Sequence, residues 1–445
     1  MPKARHNPVM MNKNQARPKR KADARRIALG VLDDVLERKQ EFDRAFDDAR
    51  DIYLLEPRDR AFARLLLLTT FRRLGQIDAI ISTFMQKEPK GKGRWVRSVI
   101  RLTTAQLVFL DTPPHAAVSS ALKLLEVLKL DQFKGLANAV LRKISTEGKA
   151  LAETQDAGRL NTPAWLYKRW SKAYGAGAAA AIADMHMREA QLDITVKSDA
   201  PGWAQKLDGQ LLPTGSVRLQ GINDVTTLPG FDDGDWWVQD TAASLPIHLL
   251  GDIKGKTIID LCAAPGGKTL QLAAAGAHVI AVDRSKRRMH RLRENLERTN
   301  LTAEIIVADA TEYRPVELAD AILLDAPCSS TGTIRRHPDL PHQKNLKDVQ
   351  RLAELQQELL EAAVQMVKPG GIIIYATCSL QPEEGESRIR YFLKNTELTT
   401  QSTLVADDIF GCEEFISDGF LRCLPSHLEN FGGMDGFFAA RLIKN

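Results

Sequence analysis

The first part of the chain repeats apolar residues every three or four positions, which is the period of an amphipathic helix. From residue 22 to about residue 145 this spacing recurs in five segments, separated by turn signals such as Glu56-Pro57 and Pro113-Pro114. The predicted helices are residues 24–36, 60–74, 97–109, 118–130 and 136–144. No strand pattern interrupts them, so residues 22–146 are predicted to form an all-α domain.

The pattern changes twice after this domain. Residues 147–161 are predicted to be a linker, and a new helix is expected to begin at Thr162-Pro163. Short β-like runs then follow at residues 193–197 and 216–219, and glycine and proline separate them. Residues 162–230 are therefore predicted to form a small α/β cap domain.

The remaining residues, 231–445, alternate buried apolar runs with amphipathic segments. Predicted strands are residues 257–260, 278–283, 304–309, 321–325 and 371–378, and predicted helices are 269–275, 285–300, 345–367 and 383–395. Strict alternation of strand and helix is typical of a doubly wound parallel sheet, so a Rossmann-like α/β domain is expected. A late apolar run at residues 436–444 is predicted to form a strand at an edge of this sheet.

Composition limits the class of protein. At 445 residues the chain exceeds one typical domain, and 44% apolar with 26% charged residues is ordinary for a soluble globular protein. No apolar run could span a bilayer, and the basic N-terminus lacks the apolar core of a secretory signal. Five cysteines without CxxC spacing indicate neither a disulfide framework nor a metal site. A cytoplasmic protein is expected.

Positive charge is concentrated at the start of the chain. Net charge is only +5, but residues 1–21 contain several lysines and arginines and no acid. This segment is predicted to be a disordered basic tail that suits a polyanion such as nucleic acid, with a solubilising role as the alternative. Arginines also stud the helical domain, where both a solvated face and RNA contact remain open.

Two cysteines follow the ends of predicted neighbouring strands. The run that starts at Ala321 ends at Asp325 and reaches Cys328, and the run that starts at Gly371 reaches Cys378. Because ligands bind at the carboxyl ends of parallel strands, the carboxylate and both thiols are predicted to share one crevice. A deprotonated thiol is a strong nucleophile, so the crevice is a candidate active site.

A glycine-containing turn follows the first strand of this domain. Residues 260–269 read Asp-Leu-Cys-Ala-Ala-Pro-Gly-Gly-Lys-Thr. Glycines at a strand-to-helix turn let the backbone approach a ligand. The last three residues also match a P-loop, but that motif requires glycine where Cys262 stands, so an NTPase is disfavoured. The Cys262 side chain itself is expected to pack as a small apolar group.

Acids close the successive strands, and their placement is typical of a nucleoside pocket. Asp283 can hold two ribose hydroxyls, and Asp309 can accept a hydrogen bond from an adenine amine. A single acid at a strand end is often only a helix N-cap, but a series beside a glycine turn favours a ligand. A ribose without an obligatory phosphate indicates S-adenosyl-L-methionine as the cofactor.

Several motifs together resemble the RNA cytosine-5 methyltransferases. They are the turn at residues 260–269, Asp-Ala-Pro-Cys-Ser at 325–329 and Thr-Cys-Ser at 377–379. Residues 58–62 and 138–142 resemble parts of a NusB-like RNA-binding domain. Together with the motifs above, this domain resembles the Sun/Fmu (RsmB) branch of the family, which methylates small-subunit (16S) ribosomal RNA. Ser330 stands where the family usually has glycine, and Gly385 where it usually has asparagine. Neither replaces a proposed catalytic group.

The resemblance implies a role for each site residue. Cys378 is implied to be the nucleophile that adds to C6 of a cytosine, Asp325 to activate the base, and Cys328 to assist product release. The implied cofactor residues are Cys262, Ala263, Ala264, Pro265, Gly266, Gly267, Lys268, Asp283, Asp309 and Asp325.

The expected function is methyl transfer from S-adenosyl-L-methionine to C5 of a cytosine in 16S ribosomal RNA through a covalent cysteine adduct. The chain is expected to act as a monomer on ribosomal RNA, without a metal or a membrane. Arg335-Arg336 is expected to contact RNA phosphate, and Trp236-Trp237 to pack between domains. The main alternative is a catalytically inactive RNA-binding ribosome assembly factor that keeps the methyltransferase fold. A methyltransferase acting on DNA or a small molecule is a third possibility.

Overall fold

The computed structural model describes residues 22–445 apart from residues 88 and 223, and the predicted basic tail at 1–21 lies outside the described residues. An all-α domain comes first, as predicted, and its helices enclose one apolar core. The helix α1 begins after Asp23, whose side chain accepts from two backbone N–H groups, and it buries Ile27, Val31 and Val35 as the spacing predicts. The helices of this domain are α1 (Ala24–Leu36), α2 (Phe42–Asp47), α3 (Pro57–Arg72), α4 (Leu74–Phe84), α5 (Arg94–Val108), α6 (Pro114–Val127) and α7 (Lys134–Glu153).

The segment predicted to be a linker is largely helical. The helix α7 continues to Glu153, and α8 (Ala157–Asn161) follows after three residues. This continuation is polar along most of its surface, but Leu151 packs against the domain core. Gly148 lies against α5, where an added Cβ would be 2.9 Å from a Val108 methyl group. Packing against the domain core therefore extends α7 beyond the residues whose apolar spacing predicts a helix.

A small antiparallel sheet forms the cap. After α9 (Ala164–Tyr174) and α10 (Ala176–Met185), the chain forms β1 (Leu192–Val196), α11 (Ala200–Lys206), β2 (Gln210–Leu211), β3 (Val217–Leu219) and β4 (Trp236–Val238). The strand order is β2-β3-β1-β4, and every pairing is antiparallel. The sheet therefore continues past residue 230, because Trp236 is fully buried in the cap core. Both tryptophans are buried, but the prediction that they pack between domains holds only for Trp237, which contacts the apolar core around Leu270 and Leu292 in the C-terminal half, whereas Trp236 packs within the cap.

The second sheet carries the alternating pattern of the C-terminal half. Its elements and the helices around them are α12 (Thr241–Ser244), β5 (Thr257–Leu261), α13 (Gly267–Ala274), β6 (His278–Asp283), α14 (Lys286–Thr299), β7 (Glu304–Val307), β8 (Ala319–Asp325), α15 (Leu340–Gln343), α16 (Leu346–Met366), β9 (Val367–Thr377), α17 (Glu386–Lys394), β10 (Thr399–Ser402), β11 (Ile416–Ser417), β12 (Phe420–Cys423) and β13 (Phe437–Lys444). Strands β9, β8, β5, β6 and β7 are parallel in that order.

The predicted edge position of the last strand is wrong. Strand β13 lies inside the sheet, antiparallel to β9 on one side and to β12 on the other, and β10 pairs with its C-terminal half. The sheet is therefore mixed and not wholly parallel. The short strands β10, β11 and β12, between residues 399 and 423, lie beyond β13 in the sheet. They were not predicted, because their alternation of apolar and polar residues is weak.

Both faces of this sheet are covered, as expected for a doubly wound fold. Along β8, Ile322 and Leu324 enter one apolar core, whereas Ala321 and Leu323 enter the other. The carboxyl ends of β5, β6, β8 and β9 consequently meet at one edge. Within the part of the chain that the structure describes, no helix is both long and apolar enough to cross a bilayer.

Candidate active site

The two predicted cysteines lie side by side at this edge. Strands β8 and β9 are neighbours, with Asp325 opposite Ala376 in the register. The chain beyond each strand then brings the Sγ atoms of Cys328 and Cys378 to 3.5 Å from each other. Both residues are partly exposed to solvent. The pairing of two adjacent parallel strands is thus what joins two thiols that are 50 residues apart.

The contact between the thiols makes them chemically different. A hydrogen bond from the Cys328 thiol to the Cys378 sulfur lowers the pKa of Cys378, against the opposing effect of burial. The same contact raises the pKa of Cys328, and burial adds to that rise. Cys378 therefore ionises first, and Cys328 stays protonated beside it. When the pair loses one proton, the negative charge therefore falls on the Cys378 sulfur.

A buried glutamate that the sequence did not single out fixes both cysteine loops. The Glu384 carboxylate accepts from the hydroxyl groups of Ser329 and Ser379, each at 2.5 Å, and from the Ser329 backbone N–H at 2.8 Å. Each serine directly follows one of the cysteines. Burial raises the pKa of Glu384, while these hydrogen bonds lower it. A single carboxylate thus ties the chain after Cys328 to the chain after Cys378.

Asp325 is paired with the lysine of the glycine turn. Lys268 Nζ donates to Asp325 Oδ2 at 2.8 Å, and the lysine is almost fully buried while the carboxylate is one-third exposed. The ammonium group also lies 4.9 Å from the centre of the Phe437 ring. Lys268 is therefore a fixed neighbour of the acid at the tip of β8, and the acid keeps an accessible side.

The turn between β5 and α13 requires glycine for a packing reason. Gly266 has a φ of 111°, and an added Cβ would lie 2.2 Å from Leu292 Cδ1 on α14. Asp283 Oδ2 accepts from the Ala264 N–H at 3.3 Å, and Arg288 donates to the Ala264 carbonyl. The strand-tip acid and α14 thus hold the turn in place.

A crevice beside this turn fits the predicted cofactor. Cys262, Asp283 and Asp309 line it, together with Arg284, Arg288, Ala310, Pro327, Leu355 and Leu359. Its apolar side chains form a wall for a flat ring, and its carboxylates can accept from hydroxyl and amine groups. Pro327 links the crevice to the thiols, because Cys328 is the next residue. The crevice therefore lies beside the thiols, where a methyl donor would be needed.

Not all predicted cofactor residues line the crevice. The turn residues Ala263 to Gly267 do not line the crevice. Lys268 does not line it either, because its side chain donates to Asp325.

The acids differ in how the structure uses them. Strand β7 ends at Val307, so Asp309 lies two residues beyond it. Hydrogen bonds from the Thr311 backbone and hydroxyl lower the pKa of Asp309, which keeps it ionised. Asp260, by contrast, is fully buried within β5 and accepts from Thr269 Oγ1 at 2.6 Å. Burial raises its pKa to about 7. Asp260 therefore secures α13 to β5.

The expected RNA contact of two arginines is wrong. Arg336 bonds Asp240 at 2.6 Å and Asp435 at 2.9 Å, and Arg335 lies 3.3 Å from Asp435. Arg335 is 1% exposed, and both aspartates are also buried. The two arginines neutralise carboxylates where the cap meets the larger sheet, so the charges of both are already paired and Arg335 is closed to a phosphate.

A cavity larger than the crevice lies away from the thiols. It measures about 440 Å³ and is lined by residues that include Thr195, Lys197, Trp237, His248 and Phe410. None of the cysteines or strand-tip acids discussed above borders it. Size alone therefore does not locate the site, whereas the convergence of acids and thiols does.

Comparisons with known proteins agree with this geometry. A family model described as 16S rRNA methyltransferase RsmB/F matches residues 247–443, and one described as the NusB family matches residues 22–146. Ribosomal RNA small subunit methyltransferase B of Vibrio cholerae is 35% identical over 409 residues, which is 88% of this chain and 91% of the relative. The protein of the same name from Sodalis glossinidius is 37% identical over 413 residues, with the same shares covered. A crystal structure named PH0851 superposes with a TM-score of 0.72 at 24% identity, and it covers 94% of this chain and 98% of its own.

Proposed function

The chain belongs to the RsmB/F family of 16S rRNA methyltransferases, and we propose that it methylates C5 of a cytosine in small-subunit ribosomal RNA. The observation that carries this proposal is the pair of thiols 3.5 Å apart, of which Cys378 ionises first. Cytosine C5 is a weak nucleophile and needs activation before it can accept a methyl group. One thiolate with a second thiol beside it suits a reaction in which one sulfur attacks the base and the other assists release of the product.

In the first step, the Cys378 thiolate forms a bond to C6 of the cytosine. The electron pair of the C5–C6 double bond then becomes available at C5, which makes C5 nucleophilic. S-adenosyl-L-methionine, when bound, supplies an electrophilic methyl group. Cys262, Asp283 and Asp309 would hold it, because they line the adjacent crevice. The target base must leave any stack to reach the thiol.

Asp325 stabilises the ring during this addition. Its accessible side can accept from the exocyclic amine of the cytosine and, when it carries a proton, deliver that proton to N3, which neutralises the negative charge that develops on the ring as the thiolate adds. The Lys268 ammonium donates to the other carboxyl oxygen at 2.8 Å and fixes the group in direction.

Cys328 completes the reaction by assisting release. After methyl transfer a base removes the proton from C5, the C5–C6 double bond re-forms, and the Cys378 sulfur leaves C6. Once Cys378 is bonded to carbon, its sulfur is neutral and no longer disfavours a thiolate at Cys328. The arrangement thus supports proton removal by Cys328 at the stage when it is needed.

Sequencing of 16S ribosomal RNA after bisulfite treatment tests the proposed function. Ribosomal RNA from a strain that lacks this protein should lose one 5-methylcytosine, and the intact gene should restore it. A gene encoding Cys378→Ala should not restore it, because the nucleophile is absent. An unchanged pattern in the deletion strain would favour the inactive assembly factor instead.

Loss of the ribose-binding acid should weaken cofactor binding. Asp283→Ala is expected to reduce the affinity for S-adenosyl-L-methionine about 10- to 100-fold for each hydrogen bond that is lost, because charge-assisted hydrogen bonds are worth roughly 1.5–3 kcal/mol each. Calorimetry measures this directly. Asp283→Asn is the comparison variant, because its one amide oxygen can keep one of the two backbone contacts, from Ala264 or from Ser285, and it should bind with intermediate affinity. Wild-type affinity in both variants would remove Asp283 from the cofactor site.

A further inference from the structure

The helix that follows β6 carries an unusual density of positive charge. Six of the ten residues from 284 to 293 are lysine or arginine, and the structure exposes all six. They are Arg284, Lys286, Arg287, Arg288, Arg291 and Arg293. We call these residues the α14 cation cluster.

Most of this charge has no acidic partner within the described chain. Arg288 lies 3.7 Å from Asp283, whereas none of the other five cations forms an ion pair in the residues that the structure describes. The one other pair on the helix joins His290 to Glu294 at 3.5 Å. The α14 cation cluster therefore presents uncompensated positive charge to solvent.

The helical domain, which the sequence also marks as basic, differs in this respect. Many of its arginines are neutralised by aspartates of the same domain. Examples are Arg26–Asp51, Arg38–Asp34, Arg60–Asp47, Arg64–Asp43 and Arg101–Asp78. A dense group of cations, most of them without ion pairs in the described chain, thus also lies on the catalytic domain, close to the crevice.

Apart from Arg288, which also bonds the turn after β5, these charges do not stabilise the helix that carries them. The first turn of α14 contains three cations and no acid, so these charges oppose the helix dipole. Arg287 and Arg291 are one turn apart on the same side of the helix, where like charges repel. An arrangement that destabilises its own helix is explained by a polyanion that binds it.

The position of the cluster identifies the polyanion. Arg284 and Arg288 line the crevice together with Asp283, and the other cations extend along the helix away from it. The target cytosine reacts at the thiols, which Pro327 joins to this cofactor crevice, so an RNA chain that reaches the thiols can extend over the neighbouring cluster. We propose that the α14 cation cluster docks the phosphate backbone of the RNA that flanks the target cytosine. This inference rests on the proposed function, because it takes RNA as the substrate.

Neutralising two cations outside the crevice tests the proposal. The double variant Arg287→Gln/Arg291→Gln should bind a fragment of 16S ribosomal RNA more weakly. The slope of log affinity against log salt should become shallower by about 0.7 per lost phosphate contact. Fluorescence anisotropy over a salt series gives both quantities. Affinity for S-adenosyl-L-methionine, measured by calorimetry, reports whether the fold and the crevice survive.

A matched control separates a docking site from net charge. Lys254→Gln/Lys256→Gln removes the same charge from two exposed residues that precede β5, at the opposite edge of the sheet. This control should keep the wild-type slope. An equal loss of slope in both double variants, or no loss in either, would overturn the proposal, and the second result would leave an acidic protein as the partner. Failure of the proposed function gives a different result, since the wild type would then bind RNA without methylating it.

Discussion

Replacing Cys378 with alanine is expected to abolish methyl transfer, with a loss on the order of 10⁴-fold or more, because no other group can add to C6. Cys328→Ala is expected to act differently. It should still attack and transfer the methyl group, because Cys378 remains, but more slowly, because the hydrogen bond that lowers the pKa of Cys378 is lost. It should then stall before the C5 proton is removed. A covalent protein–RNA adduct should therefore accumulate and survive denaturing electrophoresis.

The assay is incubation of each variant with substrate RNA and cofactor, followed by a denaturing gel. Cys412→Ala is the control, because Cys412 lies in a loop after β10 and away from the crevice, and it should behave as the wild type. An adduct from Cys378→Ala with none from Cys328→Ala would exchange the two roles. Full activity of Cys328→Ala without an adduct would leave Cys328 with only a packing role.

Removal of Arg336 is expected to produce the largest loss of stability among single substitutions of charged residues discussed here. Arg336→Ala would leave the buried carboxylates of Asp240 and Asp435 without their closest cation. Breaking a buried ion pair by deleting one partner typically costs about 3–5 kcal/mol. Arg335 remains nearby, at 3.3 Å from Asp435 and 3.7 Å from Asp240, which limits the loss to this range.

Denaturant unfolding followed by tryptophan fluorescence measures this effect. The matched control is Arg44→Ala, which removes an exposed pair with Asp48 at 3.5 Å and should cost about 0–1 kcal/mol. If Arg336→Ala unfolds at the same midpoint as Arg44→Ala, the buried network does not hold the cap on the sheet.

The sequence was informative wherever local pattern and tertiary fold agree. Strand β8 and the C-terminal part of β9 were predicted closely, because a buried parallel strand is a continuous apolar run with a polar tip. The same reasoning placed Asp325, Cys328 and Cys378 at one edge, and the structure brings the two thiols together. Neighbouring strands in a βαβ order leave little freedom for any other arrangement.

The remaining features depend on contacts between distant segments. Nothing near Glu384 indicates that its carboxylate meets Ser329, which is 55 residues away. The runs before β13 are too short for their alternation to show that they pair with it. Arg336 looked like a phosphate ligand because its two aspartate partners are about 100 residues distant in sequence. Each of these features is created by the fold, and the local pattern carries no sign of it.

One measurement on the unaltered protein shows directly whether Cys378 forms the covalent bond to the cytosine. RNA that carries 5-fluorocytidine at the target position should trap the enzyme, because fluorine at C5 cannot leave as a cation after methyl transfer. Digestion of the trapped complex and mass spectrometry of its peptides then identify the bonded sulfur. We predict that the nucleotide mass is attached to the peptide that contains Cys378. Attachment to Cys328, or recovery of unmodified Cys378 from an enzyme that methylates ordinary RNA, would contradict this account.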